Sequence, residues 1–220
     1  AALHLARAGV PVTAVTDTLV LMPHNMARRA LVRQAPSSGK ADELATELKA
    51  LGQTPAVCFE DAVEQLRSSD GRLALAPENT DRVLNSTASL LVREALSIVP
   101  KDAFPPRISE IALFGRGEGA FLLQEGVARN PNLADLLAEM SAHATTAERN
   151  LLFNPENGLT EVQIGQGCGS LTMPMSDARL SAMTAAATEI FLDQKQEQLP
   201  GTYAIGHRLA GDPTTHWRVV

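Results

Sequence analysis

Four side chains near the start of the sequence have the chemistry to hold phosphate and sugar oxygens: Asp17, Asn25, Arg28 and Lys40. The planar guanidinium of Arg28 can fork onto two phosphate oxygens, and the ammonium of Lys40 supplies a compact positive charge. Asn25 can donate amide hydrogens to the same oxygens. Asp17 follows the short run Val12-Thr13-Ala14-Val15-Thr16, where an acidic residue in nucleotide-binding α/β folds meets ribose hydroxyls. Each also has an ordinary reading. A cation near a helix start is usually solvated, Asn25 can cap the helix that contains Arg28, and Asp17 can simply end a strand.

Around these residues the sequence alternates between two periods. Residues 1–8 have helical spacing up to Gly9 and Pro11, and the β-branched run after them predicts a short buried strand. Helical patterns cover 26–34 and 38–51, the second with Ser37 and Ser38 as candidate caps and Gly52 as its end. A strand is expected at 56–59, a helix at 61–69 closed by a turn at Ser69-Asp70-Gly71, a strand at 82–86 and a helix at 88–99. Alternation of this kind predicts a Rossmann-like α/β fold, a mostly parallel sheet flanked by helices. After Pro105-Pro106 the pattern changes. Two apolar runs around Gly115-Arg116-Gly117-Glu118-Gly119 predict a β-hairpin, so that glycine series is no nucleotide loop. A helix over 132–143, a loop at 154–158, a strand over 161–164, a helix over 177–195 and a hairpin over 202–220 turning at 211–213 complete the reading. The C-terminal hairpins extend the sheet or form a small subdomain, and the boundary is expected near residue 100, dividing the chain into 1–100 and 101–220.

Composition bounds the function. The 220 residues are 45% hydrophobic, 20% charged and 4% aromatic, enough to bury a core packed mainly by aliphatic side chains. A formal charge of −6 argues against nucleic acid or an anionic membrane as partner. Two cysteines, Cys58 and Cys168, give no disulfide framework, which suits a reducing cytoplasm. The five histidines have no ligand-type spacing, so no zinc site is expected. No apolar run approaches the roughly 20 residues that span a bilayer.

Taken together, several pieces resemble the ThiF/MoeB family, the ubiquitin-activating-enzyme-like adenylyltransferases. They are Leu5-Ala6-Arg7-Ala8-Gly9-Val10, Thr16-Asp17-Thr18, Asn25-Met26-Ala27-Arg28, Gly39-Lys40-Ala41 and Asn85-Ser86-Thr87, in the family's order and spacing. The resemblance implies ATP-dependent adenylation of the C-terminus of a ubiquitin-like or sulfur-carrier protein. It places Asp17 on ribose, with Asn25, Arg28 and Lys40 on phosphates and His24 within reach of the nucleotide. A homodimer is also implied. The second half is similar to the C-terminal region of ThiF-domain proteins, some fused to ubiquitin-conjugating-like modules. That similarity rests on Gln124-Glu125-Gly126, the segment from Arg129 to Leu136, and the glycine-rich segment around Cys168. There Cys168 is a candidate thioester-forming nucleophile, although no basic neighbour is present to lower its pKa.

Two departures qualify the resemblance. The family's phosphate-cradling glycine turn is expected just upstream of Ala1. The family's Mg²⁺-binding aspartate aligns with Asn85, whose amide oxygen can coordinate Mg²⁺ without supplying negative charge. A catalytically degenerate scaffold that binds a protein partner is therefore the rival reading. An NAD-dependent oxidoreductase, resting only on strand–helix alternation and Asp17, is a third.

Overall fold

The computed structural model describes residues 1–21, 38–153, 176–195, 201–208 and 214–220. The expected helix at 26–34, the loop at 154–158, the strand at 161–164 and the hairpin turn at 211–213 lie outside the described residues. The fold is mixed α/β, as the alternating periods predict. It forms two compact units, residues 1–83 with 98–106, and residues 84–97 with 107–220.

In the first unit, α1 (Ala2–Arg7) leads to β1 (Ala14–Thr16), and α2 (Lys40–Ala50) leads to β2 (Ala56–Cys58). The two strands pair in parallel, Ala14 beside Ala56 and Thr16 beside Cys58. Leu3, Ala6, Val15, Ala41, Ala45 and Leu48 form the buried core between helices and strands, with Val12, Leu44 and Val57 against it. Small alanines on α2 bring its axis close to the strands, which explains how so few aromatics suffice. Gly52, at φ 80°, closes α2 as expected for a glycine after the last helical turn.

Two local expectations are corrected here. Ser38 does not cap α2, whose N-cap is Gly39, with no side chain to bond the first amides; Ser37 lies outside the described residues. The turn expected at Ser69-Asp70-Gly71 is instead the start of a helix. After α3 (Ala62–Leu66), Ser68 accepts a hydrogen bond from the Gly71 amide at 3.0 Å and so caps α4 (Ser69–Leu75). A Cβ at Gly71 would lie 2.2 Å from the Gln65 carbonyl oxygen. The glycine is there for close helix approach, not for a turn.

The second unit is built on a five-stranded sheet in the order β3-β4-β5-β6-β7. Its strands are β3 (Arg82–Asn85), β4 (Arg107–Phe114), β5 (Gly119–Gln124), β6 (Thr202–Arg208) and β7 (Thr215–Val219). The pairs β4-β5, β5-β6 and β6-β7 are antiparallel. All six residues of β5 are buried, so neither of its faces meets water. Helix α8 (Asp177–Lys195) covers one face, where Gln194 bonds both Gln124 and Thr202. The other face packs against α6 (Leu133–His143), whose His143 Nδ1 stands 3.4 Å from the Tyr203 hydroxyl. Asn132 begins α6 with a reciprocal capping box to Asp135. Helix α5 (Leu90–Ile98) connects β3 to β4 in the sequence. Among the described residues, no helix is long and apolar enough to cross a membrane.

Helix α7 (Thr146–Phe153) was not expected from the sequence. It starts on a second capping box. The Thr145 amide donates to Glu148 Oε2 at 2.6 Å and the Glu148 amide to Thr145 Oγ1 at 3.2 Å. Arg218 of β7 donates to the same carboxylate at 2.9 Å. Burial alone pushes the Glu148 carboxyl up. The Thr145 amide and hydroxyl together with the Arg218 guanidinium outweigh that, and its pKa falls below the ordinary 4.5. A depressed folded-state pKa means stability that is complete above the unfolded value and lost as pH falls through the folded one. Glu148→Gln should therefore lower stability by about 1.5–3 kcal/mol at pH 7, the range for hydrogen bonds to charged groups. In urea titrations the gap to wild type should narrow as pH drops below 4.5; a gap that is constant with pH contradicts the assignment.

Candidate functional site

The site starts where β1 ends. The amide of Asp17 reaches the Cys58 carbonyl of β2 at 3.4 Å, carrying the parallel pairing one residue beyond the strands. The chain then turns, because Asp17 Oδ1 accepts the Leu19 amide at 2.9 Å, a turn that an Asp side chain can close on its own backbone. Val20 bridges Gly39 in antiparallel fashion, and the Leu21 amide donates to the Ser38 carbonyl at 2.9 Å. The next bond in this short ladder runs from the Lys40 amide to the Leu19 carbonyl at 2.8 Å.

Leu19 is therefore the link between two of the expected site residues. Its amide is held by the Asp17 carboxylate and its carbonyl by the Lys40 backbone amide. Lys40 is the first residue of α2 and only 3% exposed, unusual for a lysine. Asp42 and Glu43 occupy the first turn of α2, where negative charge complements the helix dipole. Asn25, Arg28 and Cys168 lie outside the described residues, and so does His24. Cys58 is half-buried and takes a hydrogen bond from the Gln65 amide.

Asn85 ends β3 in the second unit and is 4% exposed. Its Oδ1 accepts two hydrogen bonds from Thr87, from the amide at 3.1 Å and from the hydroxyl at 2.8 Å. Thr87 Oγ1 in turn accepts the Ser89 amide at 3.2 Å, and Ser89 Oγ accepts the Val92 amide at 3.4 Å. The alternation Asn85-x-Thr87-x-Ser89 thus leads the strand into α5. The amide cannot be flipped, since that would set its NH₂ against the Thr87 N–H. Its Nδ2 is buried and, among the described residues, has no hydrogen-bond partner.

Magnesium, implied at this position by the family resemblance, does not fit that arrangement. Both lone pairs of Oδ1 are engaged, and the group left over is a donor, which repels a cation. Among the described residues, no three His, Cys, Asp or Glu side chains are grouped so as to hold a metal ion. The sequence pointed to Asn85 and to Thr87 beside it but did not reveal that Thr87 saturates the oxygen. The link through Leu19 was missed altogether, because a backbone carbonyl leaves no mark on the sequence.

Other charged groups in the second unit serve its interior. Glu110 of β4 is held by Arg93 of α5 at 2.5–3.0 Å. Glu125 accepts from Arg129 at 2.8 Å and from the Ile108 and Leu133 amides. Burial pushes the Glu125 carboxyl up, while Arg129 and those amides pull it back. Arg107, which donates to the Glu125 carbonyl, is lowered by burial with Glu125 opposing.

With this geometry in hand, the class of fold is a mixed α/β protein with an antiparallel C-terminal sheet. Solved structures of E. coli MccB share that fold. The crystal structure of MccB matches with a TM-score of 0.53 at 12% identity, covering 99% of this chain and 57% of MccB. The structure of MccB with SeMet MccA gives 0.55 at 12% identity, covering 99% and 58%; that with MccA-N7isoASN gives 0.52 at 12% identity, covering 99% and 59%. The chain thus spans less than two thirds of the structures it resembles. No protein-family model matches the sequence, and no curated protein matches it.

The Asp17 turn is testable without any ligand. Asp17→Asn retains Oδ1 for the Leu19 amide and should change stability by less than about 0.5 kcal/mol, as ordinary surface substitutions do. Asp17→Ala removes the acceptor and should cost about 0.5–2 kcal/mol, as lost caps do. Equal thermal midpoints for the two variants would show that the turn does not depend on this oxygen.

Proposed function

We propose that this protein uses ATP to adenylate the C-terminal carboxylate of a peptide or small protein, with a ubiquitin-like or sulfur-carrier protein as the finer expectation. The observation that carries the reading is the joining of Asp17 and Lys40 through Leu19, beyond the end of a parallel strand pair. Ligands in open α/β sheets bind outside the carboxyl ends of strands. The resemblance to ThiF/MoeB sequences supports the chemistry. The likeness in fold to MccB, a protein crystallised with MccA, supports a peptide or protein as the partner.

In this reading the acceptor carboxylate attacks the α-phosphorus, forming a phosphorus–oxygen bond to give an acyl adenylate. The bond from the α-phosphorus to the bridging oxygen breaks, and pyrophosphate leaves with the electron pair. Lys40, desolvated at the start of α2, and Arg28 would stabilise the charge growing on the phosphates, where a fixed cation is worth more than in water. Asn25 would donate to the same oxygens. Asp17 spends one lone pair on Leu19 and keeps acceptor capacity for ribose hydroxyls. Magnesium would neutralise phosphate charge if bound through groups other than Asn85. Cys168 as acceptor of the activated acyl group, a homodimer and a ubiquitin-conjugating-like module extend the same proposal.

A second reading, a degenerate scaffold that docks a protein partner, is favoured by one observation, the neutral Asn85 with its oxygen already spent. ATP–pyrophosphate exchange by the intact protein separates the two. Lys40→Met preserves buried volume, and both it and Arg28→Ala should lower exchange about 10²–10³-fold, the range for losing one transition-state donor. Undiminished exchange in folded variants removes the phosphate assignment, and exchange that arises only in Asn85→Asp favours the scaffold.

A further inference from the structure

Phe59 is the first residue beyond β2 and directly follows Cys58, whose carbonyl accepts the Asp17 amide. Its side chain is 54% exposed. A single exposed apolar residue is ordinary on any surface, so it is the place of this one that carries the argument. The ring lies against Gly39: a Cβ there would come within 3.0 Å of the ring Cε1 and 3.4 Å of Cδ1. Gly39 has φ −63° and ψ 142°, a conformation open to any residue, so the backbone does not demand glycine. A side chain at 39 would instead crowd the ring. Gly39 precedes Lys40, the first residue of α2. Phe59 thus borders both the strand end that carries Asp17 and the helix start that carries Lys40, all within the first unit. The other phenylalanine of that unit, Phe104, is buried.

We propose that Phe59 is the platform on which the base of the nucleotide stacks. The inference rests on the adenylation reading for the identity of the nucleotide and adds to it the residue that receives the base. With ribose on the Asp17 carboxylate and phosphates at Lys40, the base leaves the sugar beside the ends of the parallel strands, where Phe59 stands. A nucleobase presents a flat π face, and a half-exposed aromatic ring gains by covering it. Such stacking does not depend on the groups at the edge of the base, so this platform holds the base without reading its identity.

Calorimetry on the intact protein, with Mg²⁺ present, tests this by comparing ATP with inorganic tripolyphosphate, which has the phosphates and no base. Phe59→Ala should weaken ATP binding about tenfold, within the range for removing a stacking ring, and leave tripolyphosphate binding unchanged. Phe59→Trp should retain ATP binding. Phe59→Leu keeps the apolar bulk without a π face, so it carries the comparison if the alanine variant fails to fold, with a loss in the same direction. Three outcomes overturn the proposal: no ATP binding by wild type, ATP affinity indifferent to residue 59, or equal losses for ATP and tripolyphosphate, which would assign the ring to supporting the start of α2. Phe59-dependent ATP binding without any ATP–pyrophosphate exchange would sink the adenylation reading and leave this inference standing. Normal exchange, with a KM for ATP that Phe59→Ala and Phe59→Leu leave unchanged, would do the reverse.

Discussion

Three glutamates, Glu110, Glu125 and Glu148, are buried inside the second unit, and each is paired with an arginine: Arg93 from α5, Arg129 four residues along the chain and Arg218 from β7. A buried carboxylate without its partner costs about 3–5 kcal/mol. The pairings therefore leave little freedom in how the elements are arranged. Arg93 reaches Glu110 from α5, which fixes the rotation of that helix against β4. Arg129 joins Glu125 and also the Leu96 carbonyl near the end of α5. Arg218 holds the junction of α6 and α7 through Glu148 and the His143 carbonyl. With α5 held at two points, the start of that helix has a defined direction, and the turn from Asn85 to Ser89 must deliver the chain to it.

How much of this was legible depends on whether a feature is local. The span expected for α8, 177–195, is the one observed, and Asn132 with Asp135 three residues on announces α6. The hairpin strand β5 is legible because both of its faces are buried, giving a run of small and apolar residues. Helix α7 carried an equally clear signal in Thr145 and Glu148, yet its short apolar pattern concealed it. Ser69-Asp70-Gly71 was misread because a capping serine and a turn serine look alike until the Gln65 backbone presses on Gly71. Burial of the glutamates was not legible: the partners of Glu110 and Glu148 lie 17 and 70 residues away, and the Glu125–Arg129 pair, though only four residues apart, is buried through contacts with Ile108, Leu133 and Leu96.

The same holds for the candidate site. Asp17 and Lys40 can be chosen by residue type and family spacing, but their meeting depends on the Leu19 carbonyl and an antiparallel bridge between Val20 and Gly39. Main-chain groups are identical at every position, so only the folded chain could reveal them. Burial of Lys40 is a tertiary property too. A lysine at a helix start is ordinarily solvated, and this one is enclosed because alanines at 41 and 45 let α2 settle close to the strands.

Asp17 and Asn85 show how one local device yields opposite chemistry. Each stands at the end of a strand, and each closes a turn by accepting the amide of the residue two positions on, Leu19 in one case and Thr87 in the other. A backbone N–H always demands oxygen, so the turn consumes an acceptor wherever it forms. In an aspartate the second oxygen is also an acceptor, and what remains suits hydroxyl donors. In an asparagine the remainder is NH₂, oriented by the turn, and what remains suits an acceptor. Thr87 strengthens the difference by donating its hydroxyl to the same oxygen while accepting from Ser89, which fixes the direction of every hydrogen in the chain. The turn geometry thus survives exchange of the two residue types, while the atom that the backbone leaves unused changes from an acceptor to a donor.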